Sequence, residues 1–193
     1  MHRPLGQGPL LHCPKAAIGW RMSELRTERL VLRRATMHDL HAMHAVLSDA
    51  AAMTYWSTAP HTGLAQTRDW LTSMCDAPPS DSDDFVVTRK GELIGKLGAW
   101  RLPEIGFILR SDHWGKGYAA EAMSAFLPHV FGRSDVAEIT ADVDPRNAAS
   151  LKLLQRFGFS ETGRASGTWR THQGLCDSIY LRLARDAWLK RAS

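Results

Sequence analysis

Cysteine is scarce in this 193-residue chain: Cys13, Cys75 and Cys176 are far apart and odd in number. That excludes a disulfide framework and C-x-x-C metal spacing, and it fits a reducing compartment, so a cytoplasmic location is expected. No apolar run approaches the ~18 residues that a membrane span needs, so no membrane partner is expected. The first 21 residues are rich in Gly and Pro and lack the apolar stretch of a secretory signal, while Pro4, Pro9 and Pro14 oppose an amphipathic targeting helix. Internal repeats and low-complexity tracts are missing too. So are acidic residues at positions 1–23, which carry Arg3, Lys15 and Arg21. Beyond them 21 basic residues face 20 acidic ones, so a net charge of +4 for the whole chain shrinks to +1. The positive excess belongs to the N-terminal end, and direct nucleic-acid binding is not expected.

What remains describes one ordinary globular domain, 44% hydrophobic and 23% charged. Residues 1–26 read as a disordered basic extension and 27–190 as the folded domain, with Met22 a second candidate start. The predicted order begins with a strand at 29–34 and an amphipathic helix at 37–48. A second helix at 62–74 precedes a Pro- and Ser-rich loop. Lys90-Gly91 marks the turn of a hairpin whose strands are 85–89 and 93–100. A short apolar strand at 105–109 has the character of a position buried on both faces. Then come a helix at 117–131, a strand at 136–143, a helix at 147–156 with Asn147 as its N-cap, a polar loop at 162–174 and a last strand at 178–183.

Between the apolar strand and the helix that follows lies Trp114-Gly115-Lys116-Gly117-Tyr118-Ala119-Ala120-Glu121. A strand, a glycine turn and a helix start aim free backbone N–H groups at one point, which suits an anion, and glycine lets it approach the main chain closely. The spacing is neither G-x-G-x-x-G nor G-x-x-x-x-G-K-[ST]. Taken alone, the turn is as readily a structural one.

Residues 114–119 fit Q/R-x-x-G-x-G/A, with Trp114 at the Gln/Arg place, and resemble the acyl-CoA pyrophosphate loop of the GNAT N-acyltransferases. The full string is similar to their RimJ/RimL branch. Three other segments agree in order: Thr27-Glu28-Arg29-Leu30-Val31-Leu32-Arg33, Glu104-Ile105-Gly106-Phe107, and Asp144-Pro145-Arg146-Asn147-Ala148-Ala149-Ser150 with Leu154-Gln155-Arg156-Phe157-Gly158-Phe159. The resemblance implies a single-domain α/β GNAT fold, with a mixed, mostly antiparallel sheet splayed between its fourth and fifth strands (105–109 and 136–143) and flanked by helices. It implies an acetyl-CoA-dependent N-acetyltransferase without a metal. The acceptor would be a primary amine, with a ribosomal or other protein N-terminus favoured, and the assembly a monomer or homodimer.

The same resemblance distributes roles. Trp114, Gly115, Lys116, Gly117, Tyr118, Ala119 and Ala120 would hold the phosphates, Lys116 either by an ionic contact or merely as a solvated neighbour. Phe107, Ile108 and Leu109 would line the pantetheine, one N–H near Phe107 or Ile108 polarising the thioester carbonyl. Glu104, at the start of the central strand, is the candidate base, against a plain salt-bridge reading; His113 ranks below it. Asn147 would bind pantetheine amides and Ser150 would donate to the leaving thiolate, unless both are only capping groups. The tyrosine acid common in the family is not evident, which leaves Tyr180 or water as alternatives to Ser150. Tyr55, Trp56 and Trp169 are candidates for the acceptor side. His38, His41 and His44 recur every third residue on a helix and spread around it rather than converge on a metal. Two rival functions stay open: a non-catalytic acyl-CoA-binding regulator, and an acetyltransferase of polyamines or antibiotics.

Overall fold

The computed structural model describes residues 24–192. Most of the extension predicted at 1–26 lies outside the described residues, but its last three form strand β1 (Glu24–Arg26), paired with β2 (Val31–Arg33). Strands β3 (Asp83–Arg89) and β4 (Glu92–Arg101) make the hairpin around Lys90-Gly91, and β4 pairs antiparallel with β5 (Glu104–Leu109). Strand β6 (Glu138–Val143) pairs with β8 (Gly174–Ala184), which pairs with β7 (Ser160–Thr171). The eight strands of the described residues run in the order β1-β2-β3-β4-β5-β6-β8-β7. All contacts are antiparallel except β5 with β6, which share the one register pair Glu104–Thr140 before they diverge. That is the splay expected between the strands 105–109 and 136–143.

Among the described residues five α-helices cover the faces: α1 (Leu40–Leu47), α2 (Leu64–Asp76), α3 (Tyr118–Phe131), α4 (Ala148–Arg156) and α5 (Arg185–Ala192). Alternation along the strands sorts the core into two. On one face Phe85, Leu97, Ile105, Ile139 and Ala141 pack against α3. On the other, Val86, Leu93 and Ile108 meet Met43, Leu47 and Leu71 of α1 and α2. Residues 37–39 form a 3-10 turn before α1 rather than part of it, and Asp39 accepts from the Thr36 N–H at 2.9 Å and from Arg33 at 2.6 and 2.8 Å. The segment 162–174, read from sequence as a loop, is instead most of β7 and the turn into β8, and α5 had no counterpart in that reading.

Candidate active site

Where β5 and β6 part, a cavity of about 960 Å³ opens through the molecule. One end is the turn before α3. Gly115 and Gly117 hold φ of +70° and +79°, left-handed values that only glycine adopts freely, and Gly117 is the N-cap of α3. The N–H groups of Gly115, Lys116 and Gly117 donate to no backbone carbonyl among the described residues, and the first turn of a helix leaves its own N–H groups unpaired. A Cβ on Gly115 would meet nothing within 4 Å, so the groove above it is open. These residues fit a pyrophosphate.

The turn is braced from behind by β1–β2. Glu121, in the first turn of α3, accepts from the Arg29 N–H at 2.9 Å, from Arg29 Nε at 2.6 Å and from the Thr27 hydroxyl. Arg29 also donates to the Lys116 carbonyl at 3.1 Å and lies over the Tyr118 ring at 4.6 Å. Burial alone would raise the Glu121 pKa, but the Thr27 and Arg29 donors outweigh it and hold the carboxyl low. The Thr27-Glu28-Arg29 and glycine-turn motifs are therefore one physical unit.

Trp114, Gly115, Gly117, Tyr118, Ala119 and Ala120 all line the cavity. Lys116 does not; its ammonium donates to the Asp112 carbonyl at 2.6 Å. Further in, Phe107, Ile108 and Leu109 form one wall, and the Trp114 indole donates to the Leu109 carbonyl at 2.8 Å. Asn147 and Ser150 form the opposite wall from the start of α4. Asn147 Oδ1 accepts the Ser150 N–H at 3.1 Å, so Asn147 is the N-cap, and the cap leaves its amide NH₂ free to face the cavity. No described residue engages the Ser150 hydroxyl. Tyr180 is 38% exposed and does not line the cavity, but it pairs across β6–β8 with Asp142, which does.

Glu104 stands at the head of the splay. It has no hydrogen-bond or ion-pair partner among the described residues, and partial burial raises its pKa, with the Asp142 charge pushing the same way. Asp142, two residues beyond Thr140 on β6, accepts the Trp169 indole N–H at 2.7 Å. Tyr55, Trp56 and Trp169 line the cavity, and Trp100, missed in the sequence, joins them. His113 lines the phosphate end, its Nε2 beside Arg110 at 3.0 Å, away from Glu104. His44 and His61 instead share the Thr67 hydroxyl at 2.7 and 2.9 Å, and no group of three or more metal-ligating side chains occurs among the described residues.

A cleft that joins an N–H cradle for phosphates to an unpaired carboxylate across a split sheet defines an acyl-CoA-dependent transferase. The sequence model of the GNAT acetyltransferase domain matches residues 29–160, and the chain belongs to that family of N-acetyltransferases. It is 31% identical over 151 residues to the uncharacterized N-acetyltransferase p20 of Bacillus licheniformis, covering 74% of this chain and 85% of that protein. It is 25% identical over 140 residues to the spermidine N(1)-acetyltransferase of Escherichia coli K12, covering 68% and 73% respectively. It shares the fold of RimL, the ribosomal L7/L12 alpha-N-protein acetyltransferase solved with coenzyme A, with a TM-score of 0.76, 20% identity, and coverage of 85% and 99%.

Proposed function

We propose that this protein acetylates the α-amine of a protein N-terminus, taking the acetyl group directly from acetyl-CoA in a ternary complex. What carries the reading is one continuous cavity with the N–H cradle at one end and Glu104, its carboxyl raised, at the other. Acetyl-CoA supplies a thioester-activated acetyl group when bound. The turn at 115–120 holds the phosphates, and the main chain of Phe107 and Ile108 orients the chain that leads inward, one N–H polarising the carbonyl. Glu104 accepts a proton from the attacking amine, directly or through a water. An α-amine, with an ordinary pKa of ~7.7–8.0 against ~10.4 for lysine, is the easier amine for a carboxylate base to serve. The Ser150 hydroxyl donates a hydrogen bond to the departing thiolate, which leaves as the anion and takes its proton from solvent, while Asn147 holds the adjoining amides. Exposed Tyr55, Trp100 and Trp169 ring the mouth and suit an extended chain end.

A second reading, a polyamine acceptor, is favoured by Glu104 and Asp142 at the same mouth and by the likeness to the spermidine enzyme. A screen of N-terminal peptides, spermidine and aminoglycosides with acetyl-CoA, read as CoA release, tests both. Peptide turnover above the others is expected. Faster spermidine turnover favours the second reading, and CoA binding without turnover on any amine leaves a regulator.

A further inference from the structure

Glu104 of β5 and Thr140 of β6 are register partners, so their side chains leave the sheet on one face, and the two-residue period puts Gly106 and Asp142 on that face too. The two cores agree: Ile105, Ala141 and Val143 belong to the one under α3, Ile108 to the one under α1 and α2. Asp142 therefore faces across the opening split to Gly106, which has no side chain and where a Cβ would stand 3.7 Å from the Trp56 ring. Glu104 and Asp142 both line the cavity. A strand spacing of ~4.8 Å and a rise of ~3.3 Å per residue put their α-carbons about 8 Å apart or slightly more. Two such side chains can close on one ammonium from either side, at ~2.8 Å per N–H···O contact.

The Asp142 carboxylate is half used. Oδ2 accepts the Trp169 indole N–H at 2.7 Å, whereas Oδ1 has no hydrogen-bond partner and is not sealed from solvent. Among the described residues no cation pairs with either Glu104 or Asp142. Arg101, beside Glu104 on β4, lies over the Trp100 ring at 5.7 Å. Arg182, beside Thr140 on β8, meets Glu138 at 3.2 Å. Arg146 is taken by Asp144 and Lys96 by Asp84. Tyr55 and Tyr180 bring hydroxyls and no cation. The remaining carboxylates of the lining, Asp81 and Asp177, accept from the Ser80 hydroxyl at 2.8 Å and the Gly167 N–H at 2.9 Å. Two unpaired carboxylates on one face repel each other, and a cation between them relieves the repulsion.

We propose that Asp142 holds the acceptor amine for Glu104: Oδ1 accepts one N–H of the arriving primary ammonium and turns another towards Glu104, while Trp169 fixes the carboxylate's rotation. The protons balance with Asp142 unchanged. The ammonium has three N–H bonds and the amide product one. Glu104 takes the first proton, the C–N bond forms as the C–S bond breaks, and the nitrogen sheds the second. Of the two protons, one ends on the CoA thiolate and one in solvent. The proposal rests on the amine-acetylation reading and names the form that binds, the charged amine.

Steady-state kinetics with acetyl-CoA test it, on whichever of an alanine tripeptide amide and spermidine the wild type turns over faster. Asp142→Asn removes the charge at similar volume and keeps an oxygen for the Trp169 indole. KM for the amine should rise about tenfold or more. The acid limb of kcat/KM, where Glu104 gains its proton, should move to lower pH, because the neighbouring anion that favours that proton is gone. Trp169→Phe keeps both carboxylates but frees Asp142 to turn; KM should rise several-fold with the limb unmoved. Calorimetric acetyl-CoA affinity equal to wild type verifies the fold of each variant. A folded Asp142→Asn with the wild-type amine KM overturns the proposal and leaves the acetylation reading standing. Should that variant not fold, a wild-type amine KM in Trp169→Phe overturns it instead. A wild type that acetylates no amine overturns the acetylation reading and this proposal with it.

Discussion

Glu104 is exposed at the cavity mouth, yet desolvation there and the Asp142 charge act on its carboxyl in the same direction. Burial and Asp142 raise its pKa, so the folded chain holds the Glu104 proton more tightly than the unfolded chain does. Stability is then reduced as pH climbs through the ordinary carboxylate range and beyond, the opposite of a carboxylate held by an ion pair. Glu104→Gln should therefore unfold at an equal or higher temperature than wild type at pH 7. Its turnover should fall most at lower pH, where the amine is mainly protonated. A pH–rate profile that superimposes on that of wild type removes Glu104 from the base role. Ser150→Ala should lower turnover by ~10- to 100-fold, within what a positioned proton donor contributes, because the thiolate charge develops only late in the reaction. Acetyl-CoA affinity by calorimetry should stay nearly intact; weaker binding instead would mark Ser150 as an anchor. The cavity walls at these two residues were legible from short motifs. The buried pair of Lys96 on β4 and Asp84 on β3, 2.7 Å apart, was not, since a lysine within an apolar strand looks like any solvent-facing alternation until its partner on β3 is known.

Among the elements, the start of α3 depends on a strand far away in sequence. Glu121→Gln keeps the shape but weakens the charge-assisted bonds to Arg29, so acetyl-CoA should bind several-fold more weakly, with the larger loss for Arg29→Ala, which also frees the Lys116 carbonyl. Gly117→Val should abolish binding outright, because a β-branched side chain is forced to a φ of +79° at the cradle. Unchanged calorimetric affinity in all three variants refutes the phosphate role of the turn. Sequence periodicity found α3 because it buries a regular apolar stripe, and α4 because Leu151 and Leu154 turn to the core while its other faces stay polar. It missed β7 for a physical reason: as the terminal strand of the sheet, it exposes most of its 12 residues, including Glu161, Arg164 and Arg170, and is held by backbone pairing with β8. An element defined by its partner leaves little trace in its own side chains.

For the whole molecule, one buried ion cluster ties the β3 edge to α3. Asp83, 1% exposed, meets Arg34 at 2.6 Å and His129 at 3.0 Å. Burial would raise its pKa, but His129 and Arg34 outweigh burial and lower it. Its contribution to stability is therefore present above its ordinary pKa of ~3.9 and lost as pH falls below that value. Acid titration followed by circular dichroism should show stability dropping in that window. Asp83→Asn should cost about 1–3 kcal/mol at pH 7, since Arg34, His129 and Arg133 keep partial access to water once the charge is gone, and flatten the acid limb. An acid limb equally steep in the variant assigns the loss elsewhere. The split between the strands 105–109 and 136–143 was readable through the family resemblance of the motifs; the strand order and the division of the two hydrophobic layers were not, since they depend on which face each helix returns to.

The lone register pair between β5 and β6 has a mechanical consequence as well as a chemical one. Below Glu104 and Thr140 the sheet is two leaves bound at a single stitch, and each leaf presents unpaired peptide groups to the gap. A molecule laid along that seam completes the weave. Saturating CoA at ~100 times its Kd should add about 2.7 kcal/mol, or roughly 5–10 °C in melting temperature for a chain of this size. Amide exchange should slow on both margins, at 107–109 and at 141–143, and not merely at the turn before α3. Protection confined to 115–120 would mean that the leaves stay unlaced, with the ligand held by its phosphates alone.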